Sequence, residues 1–387
     1  MISTDRITYI DSLDQLKQFC QEVTAVDWIA VDTEFIRDRT YFPKFCLLQL
    51  ATPHRVACID PLAFDSLAPL DAIFDDDRIV KVFHAARQDL EILYRLRGRL
   101  PEPVFDTQLA APFVGLPDQI GYGALAWEIL GVSLEKTHSR TDWSIRPLSV
   151  AQLRYAADDV IYLGLIFQKM RDRLNELARL DWVAEELKAL TEPRLYDPPP
   201  EEAWLRIGGN TQLTHTQATL LQALAAWRER LAREQDCPRN WLIKDEILLD
   251  LARQGPKTLE VLRRVRGLDD RITRRFGDAL LAIIGGAADL APTGLQTTSA
   301  PPRESPEREA LLDVFTALVR VRAAEHRITP SVLATRKDLR EFIGTPVASR
   351  LLRGWRKSIL GDDLFSMMMG NKSLMVIDGA LQFADHA

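Results

Sequence analysis

The run Asp197-Pro198-Pro199-Pro200-Glu201 limits what this chain can fold into more than any other feature. Three consecutive prolines offer no backbone N–H and fix φ, so neither a helix interior nor a central strand can pass through them. The chain on either side differs in kind. Residues 1–180 alternate strand-like and helix-like segments. Arg6–Ile10 and Trp28–Val31 have strand character, with helical periodicity from Asp11 to Val23 between them. Phe45–Ala51 and Arg55–Ile59 predict a hairpin turned through Thr52-Pro53-His54. A helix at Leu67–Phe74 precedes a strand at Ile79–Phe83 and a helix at Ala86–Leu96; Thr107–Phe113, Tyr122–Leu130 and Ser149–Leu177 complete a helical remainder. This is the pattern of an α/β layered domain, a mixed sheet with flanking helices.

Beyond the prolines every segment reads as helical. A second break runs from Ala291-Pro292-Thr293-Gly294 through Pro306 and is rich in Pro, Ser and Thr. The expected organisation is an α/β domain over 1–195 followed by two all-α domains, 208–290 and 306–387. An offset of 91 aligns Leu220-Leu221 with Leu311-Leu312, Ala232 with Ala323, Glu234 with Glu325 and Leu242 with Leu333. The two helical pieces therefore read as divergent copies of one unit.

Composition excludes several classes. No apolar run approaches the ~20 residues needed to span a bilayer, and Met1-Ile2-Ser3-Thr4-Asp5-Arg6 lacks the layout of a signal peptide. A cytoplasmic protein without membrane attachment is expected. Cys20, Cys46, Cys58 and Cys237 have no paired spacing, which argues against a zinc site and for reduced, mostly buried thiols. The net charge of −6 is unevenly distributed: residues 1–200 hold 22 Lys/Arg against 31 Asp/Glu, and the rest hold 27 against 24. A basic second half beside an acidic first half hints at a polyanionic partner.

Acids in the first half have a chemical use. Asp32 and Glu34 close the strand-like stretch Trp28–Phe35 and share one face, because strand side chains alternate. Asp89 follows an apolar strand at the start of a helix. Tyr155 lies four residues before Asp159 in a helical stretch, which stacks the two on one face, and Asp158 competes for the same position. Clustered carboxylates are hard oxygen ligands for Mg²⁺ or Mn²⁺. Without metal they repel and raise one another's pKa values. Two divalent ions would offset that repulsion and create a phosphoryl-transfer site. A phenol is mostly protonated at neutral pH, which suits Tyr155 to orienting water rather than deprotonating it.

These segments together resemble the ribonuclease D family, of the DEDD exonuclease superfamily with tyrosine in its third motif. The first motif is similar to Val31-Asp32-Thr33-Glu34-Phe35, the second to His84-Ala85-Ala86-Arg87-Gln88-Asp89-Leu90, and the third to Tyr155-Ala156-Ala157-Asp158-Asp159. Val104-Phe105-Asp106-Thr107 and the stretch Ser139–Leu148 also resemble the bacterial pattern, and both helical pieces resemble HRDC domains. The resemblance implies a ribonuclease H-like fold, two Mg²⁺ or Mn²⁺ ions held by Asp32, Glu34, Asp89 and Asp159, and Tyr155 as catalytic partner. It selects Asp159 over Asp158, and Asp106 as structural. His138 is followed five positions later by Trp143, not an acid, so the histidine branch is disfavoured.

The implied activity is 3′→5′ hydrolytic release of 5′-mononucleotides from RNA with a free 3′ end, such as tRNA precursors and small structured RNAs, with no obligatory protein partner. A DNA 3′→5′ exonuclease and a non-catalytic nucleic-acid scaffold are the alternatives. The HRDC-like pair favours RNA, and all five site residues being present disfavours the scaffold.

Further expectations concern contacts. His84 and Gln49 read as polar packing near the site. Arg140 and Arg146, flanking Trp143, suit a phosphate-and-base contact or a surface loop. Arg253, Lys257, Arg263, Arg264, Arg266, Arg271, Arg274 and Arg275 form a basic stretch around Val265-Arg266-Gly267-Leu268, with a smaller cluster at Arg350, Arg353, Arg356 and Lys357. Both read as grips on RNA.

Overall fold

The alternating first half assembles into one six-stranded mixed sheet. In chain order it comprises β1 (Ile7–Ile10), α1 (Leu13–Val23), β2 (Trp28–Ile36), β3 (Lys44–Ala51), β4 (Val56–Ile59), α2 (Asp71–Phe74), β5 (Val80–Phe83), α3 (Arg87–Arg97), β6 (Val104–Asp106), α4 (Thr107–Ala110), α5 (Tyr122–Leu130), α6 (Val150–Glu176) and α7 (Leu180–Leu187). The computed structural model describes residues 7–23, 26–134, 141–287 and 305–385; Arg6, His138, Arg140 and residues 288–304 lie outside them. The strand order is β1-β4-β3-β2-β5-β6. β3 and β4 pair antiparallel, as the hairpin reading expects, while β1–β4, β2–β5 and β5–β6 are parallel. β2 thus lies inside the sheet, and its apolar run Trp28-Ile29-Ala30-Val31 is buried throughout, as a strand covered on both faces requires.

Two differences from the expected elements bear on the site. β2 continues two residues past Glu34, because Phe35 and Ile36 extend its strand-forming composition. β6 falls in a stretch expected to be helical or irregular; three residues are too few to carry a period.

α6 is the long element that closes the sheet. Ser149 caps it in a reciprocal capping box with Gln152. Its Phe167 ring packs against Trp28 at 5.9 Å and Phe105 at 4.9 Å, tying α6 to β2 and β6. Gly164 permits this approach, since a Cβ there would stand 2.5 Å from the Trp28 ring.

Contacts divide the chain into two compact units, one of residues 1–34, 45–192 and 304–387, the other of 35–44 and 193–303. In the second unit Pro199 is extended and Pro200 opens a 3₁₀ turn, so no regular element crosses the proline run. α8 (His215–Glu234), α9 (Arg239–Leu242), α10 (Asp245–Gln254), α11 (Leu259–Leu262) and α12 (Asp270–Ala287) follow. Their core includes Leu221, Leu224, Leu248, Leu251 and Leu280, all fully buried. Residues 35–44 belong here: the Tyr41 hydroxyl donates to the Glu229 carboxylate, and Arg233 lies over the Tyr41 ring at 5.8 Å.

The C-terminal piece contains α13 (Pro306–His326), α14 (Pro330–Leu333), α15 (Arg336–Gly344), α16 (Gly354–Arg356) and α17 (Asp362–Met368), then β7 (Lys372–Ile377) and β8 (Ala380–Asp385). It packs within the first unit, where Trp355 stacks on Trp182 at 4.9 Å and meets Phe113 edge-on at 5.5 Å. The expectation of two all-α pieces fails at its end, where β7 and β8 form an antiparallel hairpin. Asp378 (φ 52°) and Gly379 (φ 78°) make the turn. Two successive residues of positive φ give the twist that hairpin strands need, and Asp-Gly accepts it readily.

Candidate active site

Three elements deliver the acids. β2 presents Asp32 and Glu34 near the middle of the sheet, α3 presents Asp89 from its first turn, and α6 presents Tyr155 and Asp159 from its N-terminal third. Carboxylate oxygens of Asp32, Glu34 and Asp159 lie within 4.8 Å of one another. They line a cavity of about 270 Å³ together with Thr33, His84, Tyr122, Tyr155 and Leu163. Asp89 stands just behind this group, buried, with its Oδ1 accepting from the Thr33 hydroxyl at 2.5 Å. Asp158 is partly exposed and lies 3.8 Å from Arg154 instead.

The turn that aims α3 is strained and held. Ala85 has φ +57°, a conformation that costs a residue with a Cβ roughly 1–2 kcal/mol. The buried Asp106 carboxylate offsets this by accepting from the backbone N–H groups of Ala85 at 3.0 Å and Ala86 at 2.9 Å. It also caps α4 through Gln108 N at 2.8 Å and Leu109 N at 3.3 Å. Asp106 therefore acts as the structural residue expected of it, holding the turn that places Asp89.

Electrostatics of the group follow from burial and crowding. Burial pushes Glu34 up to about 9, with the charges of Asp32, Asp159 and Asp89 adding to it. Burial also raises Asp32, although a hydrogen bond from the Thr33 backbone opposes it. Asp89 is raised by burial and by Asp32, and Asp159 by burial and then by Asp32 and Asp158. The Tyr155 hydroxyl donates to the Asp159 carboxylate; burial and the neighbouring acids hold it above the ordinary phenol range. Hard oxygen donors, withdrawn from water and mutually repelling, fit divalent cations.

This predicts a stability profile. A carboxyl raised above its unfolded value stabilises the fold while protonated; that contribution is complete below the unfolded value and lost as pH rises through the folded one. For Glu34 the window runs from its ordinary 4.5 to about 9. Metal-free protein should lose melting temperature steadily across that range, and added Mg²⁺ or Mn²⁺ should restore most at its alkaline end. Glu34→Gln should flatten the profile. Melting curves that ignore both pH and metal would contradict this reading of the cluster.

Several neighbours depart from the expectations. Arg146, read as either a substrate contact or part of a surface loop, is bound to Asp60 through Nε at 2.5 Å and Nη2 at 2.6 Å, and donates to the carbonyls of Trp143 and Cys46. Trp143 is 2% exposed and packs beside Tyr155 with ring centroids 6.2 Å apart, so it backs the site rather than offering a stacking face. Gln49 is fully buried. His84 lines the cavity, its Nδ1 3.0 Å from the Thr107 hydroxyl. Sequence reasoning missed Thr33 and Tyr122. Strand alternation assigns Thr33 to the face opposite its neighbours, and Tyr122 reaches the cavity only through tertiary folding, its hydroxyl donating to the Asp159 backbone carbonyl.

Comparison with known proteins agrees with this geometry. A family model described as a 3′-5′ exonuclease matches residues 7–175, and one described as an HRDC domain matches 217–284. The ribonuclease D of Gluconacetobacter diazotrophicus is 39% identical over 376 residues, covering 96% of this chain and 94% of its own. That of Sphingobium indicum is 38% identical over 381 residues, covering 95% and 96%. The crystal structure of Escherichia coli RNase D, described as an exoribonuclease involved in structured RNA processing, matches with a TM-score of 0.84 at 33% identity, covering 94% of this chain and 99% of that one. Likeness of this extent, over nearly the full length of both chains, means that the chain belongs to the ribonuclease D family of hydrolytic 3′→5′ exoribonucleases.

Proposed function

We propose that the chain shortens RNA from a free 3′ end and releases nucleoside 5′-monophosphates, by the tyrosine variant of the DEDD arrangement. In this reading Asp32, Glu34, Asp89 and Asp159 hold two divalent ions, Mg²⁺ or Mn²⁺, and Tyr155 orders the attacking water. The observation that carries it is the convergence of the Asp32, Glu34 and Asp159 oxygens within 4.8 Å at a cavity that Tyr155 also lines. Bound ions would supply counter-charge and Lewis acidity at the scissile phosphate. Water adds to phosphorus, and the 3′ oxygen of the shortened strand leaves. Tyr155, held protonated and donating to Asp159, is suited to positioning that water rather than deprotonating it.

The substrates proposed are tRNA precursors and other small structured RNAs, in line with the structured-RNA role of the E. coli relative. Such substrates put the work in the cytoplasm and require no protein partner. Among the described residues, no helix is long and apolar enough to cross a membrane. In the second unit Arg253, Lys257, Arg263, Arg264, Arg266, Arg271, Arg274 and Arg275 are all exposed, which supports a grip on the RNA backbone there. The smaller C-terminal cluster supports it less: Arg350 is paired with Asp338, and Arg356 is buried against Glu186.

The domain reading is an exonuclease domain over 1–195 and HRDC-like modules over 208–290 and 306–387. The repeat of helix boundaries supports the second module: shifting Arg239–Leu242 by 91 residues gives Pro330–Leu333, which is α14, and shifting Asp245 gives Arg336, the start of α15. The test of function is hydrolysis of matched 5′-labelled RNA and DNA single strands with Mg²⁺, Mn²⁺ or chelator. RNA should shorten in single-nucleotide steps only with metal. Faster shortening of DNA would replace the substrate class, and no shortening of either would leave a binding scaffold.

A further inference from the structure

We propose that Tyr122 is a positioning residue for the reaction and that the C-terminal helical piece sets it, through residues 115–121. Tyr122 opens α5; its ring lines the cavity and lies 5.2 Å from the His84 ring. Its hydroxyl donates to the main-chain carbonyl of Asp159. That acceptor belongs to the helix segment bearing both Tyr155 and Asp159, so Tyr122 braces the segment and acts through it.

What fixes Tyr122 lies upstream. Gly115 (φ +88°) ends a 3₁₀ turn, and the chain then passes through Gln119 (φ +54°) into α5. The Thr329 hydroxyl donates to the Leu116 carbonyl at 3.1 Å, and the Ser331 hydroxyl donates to Asp118 Oδ2 at 3.1 Å. Arg179 joins the two sides: Nη1 donates to the Phe113 carbonyl at 2.7 Å, and Nη2 to the His326 carbonyl. On the far side Gln108 Nε2 donates to the Ile120 carbonyl at 3.1 Å. The segment is therefore pinned at 116 and 118 from the α13–α14 end, at 113 by Arg179, which also holds His326, and at 120 from α4, two residues before the residue that lines the cavity. Holding RNA would not require contacts of this kind, whereas propping an active-site wall does.

The kinetic arm of the test rests on the hydrolytic reading above; the exchange arm does not. In the full chain, Tyr122→Phe should lower kcat about tenfold with KM within about twofold. The pair Thr329→Val and Ser331→Ala removes both donors, and Thr329 supplies no cap bond to α14. It should lower kcat about threefold at unchanged KM and speed amide exchange over 115–122 without RNA. Thr329→Ser, which keeps the donor, should match the parent protein. Adding Tyr122→Phe to the pair should cost no more than Tyr122→Phe alone, because both act through one element. A pair variant that raises KM and leaves exchange unchanged would make the C-terminal piece an RNA grip and overturn the proposal. So would full kcat in Tyr122→Phe, or losses that multiply. A parent protein that releases no nucleotide would defeat the hydrolytic reading, while exchange over 115–122 would still decide the propping role.

Discussion

Asp32→Asn should lower nucleotide release by roughly 10³-fold while leaving the fold intact, since removing one preorganised charge-stabilising group costs about that much. The change is nearly isosteric, but it deletes a negative charge from the centre of the group, where Asp32 acts on Glu34, Asp89 and Asp159 alike. With fewer buried charges to repel, metal-free Asp32→Asn should melt no lower than the parent protein at pH 8, and it should gain less from added Mn²⁺. Paired measurements of turnover and melting temperature check this. Parent-like turnover with excess Mg²⁺ would remove Asp32 from the chemistry.

The largest loss of stability is expected at a residue that touches no substrate. Asp106 is 4% exposed and accepts from four backbone N–H groups, at Ala85, Ala86, Gln108 and Leu109. Asp106→Ala strips an N-cap and leaves buried donors unpaired at a strained turn, which together cost about 3–5 kcal/mol. Denaturant unfolding measures this directly. Activity should fall as well, because the turn at Ala85 sets the direction of α3 and hence of Asp89. Asp106→Asn keeps an acceptor oxygen and should recover part of both losses. An Asp106→Ala protein as stable as the parent would mean that the turn is held by other contacts.

Local pattern made the scaffold of the site legible. Asp32 and Glu34 share a face because strand geometry allows little else, and the Ser149-to-Gln152 capping box marks where the helix bearing Tyr155 and Asp159 begins. Choosing Asp159 over Asp158 needed the family resemblance, since both lie near Tyr155 on a helix; the fold separates them, one in the cavity and one beside Arg154. Contacts distant in sequence were not legible. Arg146, three residues from Trp143, read equally as a substrate contact or a surface loop, because its partner Asp60 lies 86 residues away and nothing local announces it. Tyr122 is 37 residues from the carbonyl it binds. The β7–β8 hairpin is a different omission, because its Asp378-Gly379 turn is a local signal, outweighed in the reading by the helical character of everything before it.

The most direct test of the central claim is to run the reaction on a 3′-hydroxyl RNA in H₂¹⁸O with Mg²⁺ and weigh the first product. Water attack on the terminal phosphodiester with departure of the 3′ oxygen predicts a nucleoside 5′-monophosphate carrying one ¹⁸O, absent when metal is chelated. A nucleoside 3′-phosphate, an oligonucleotide, or an unlabelled monophosphate would contradict it.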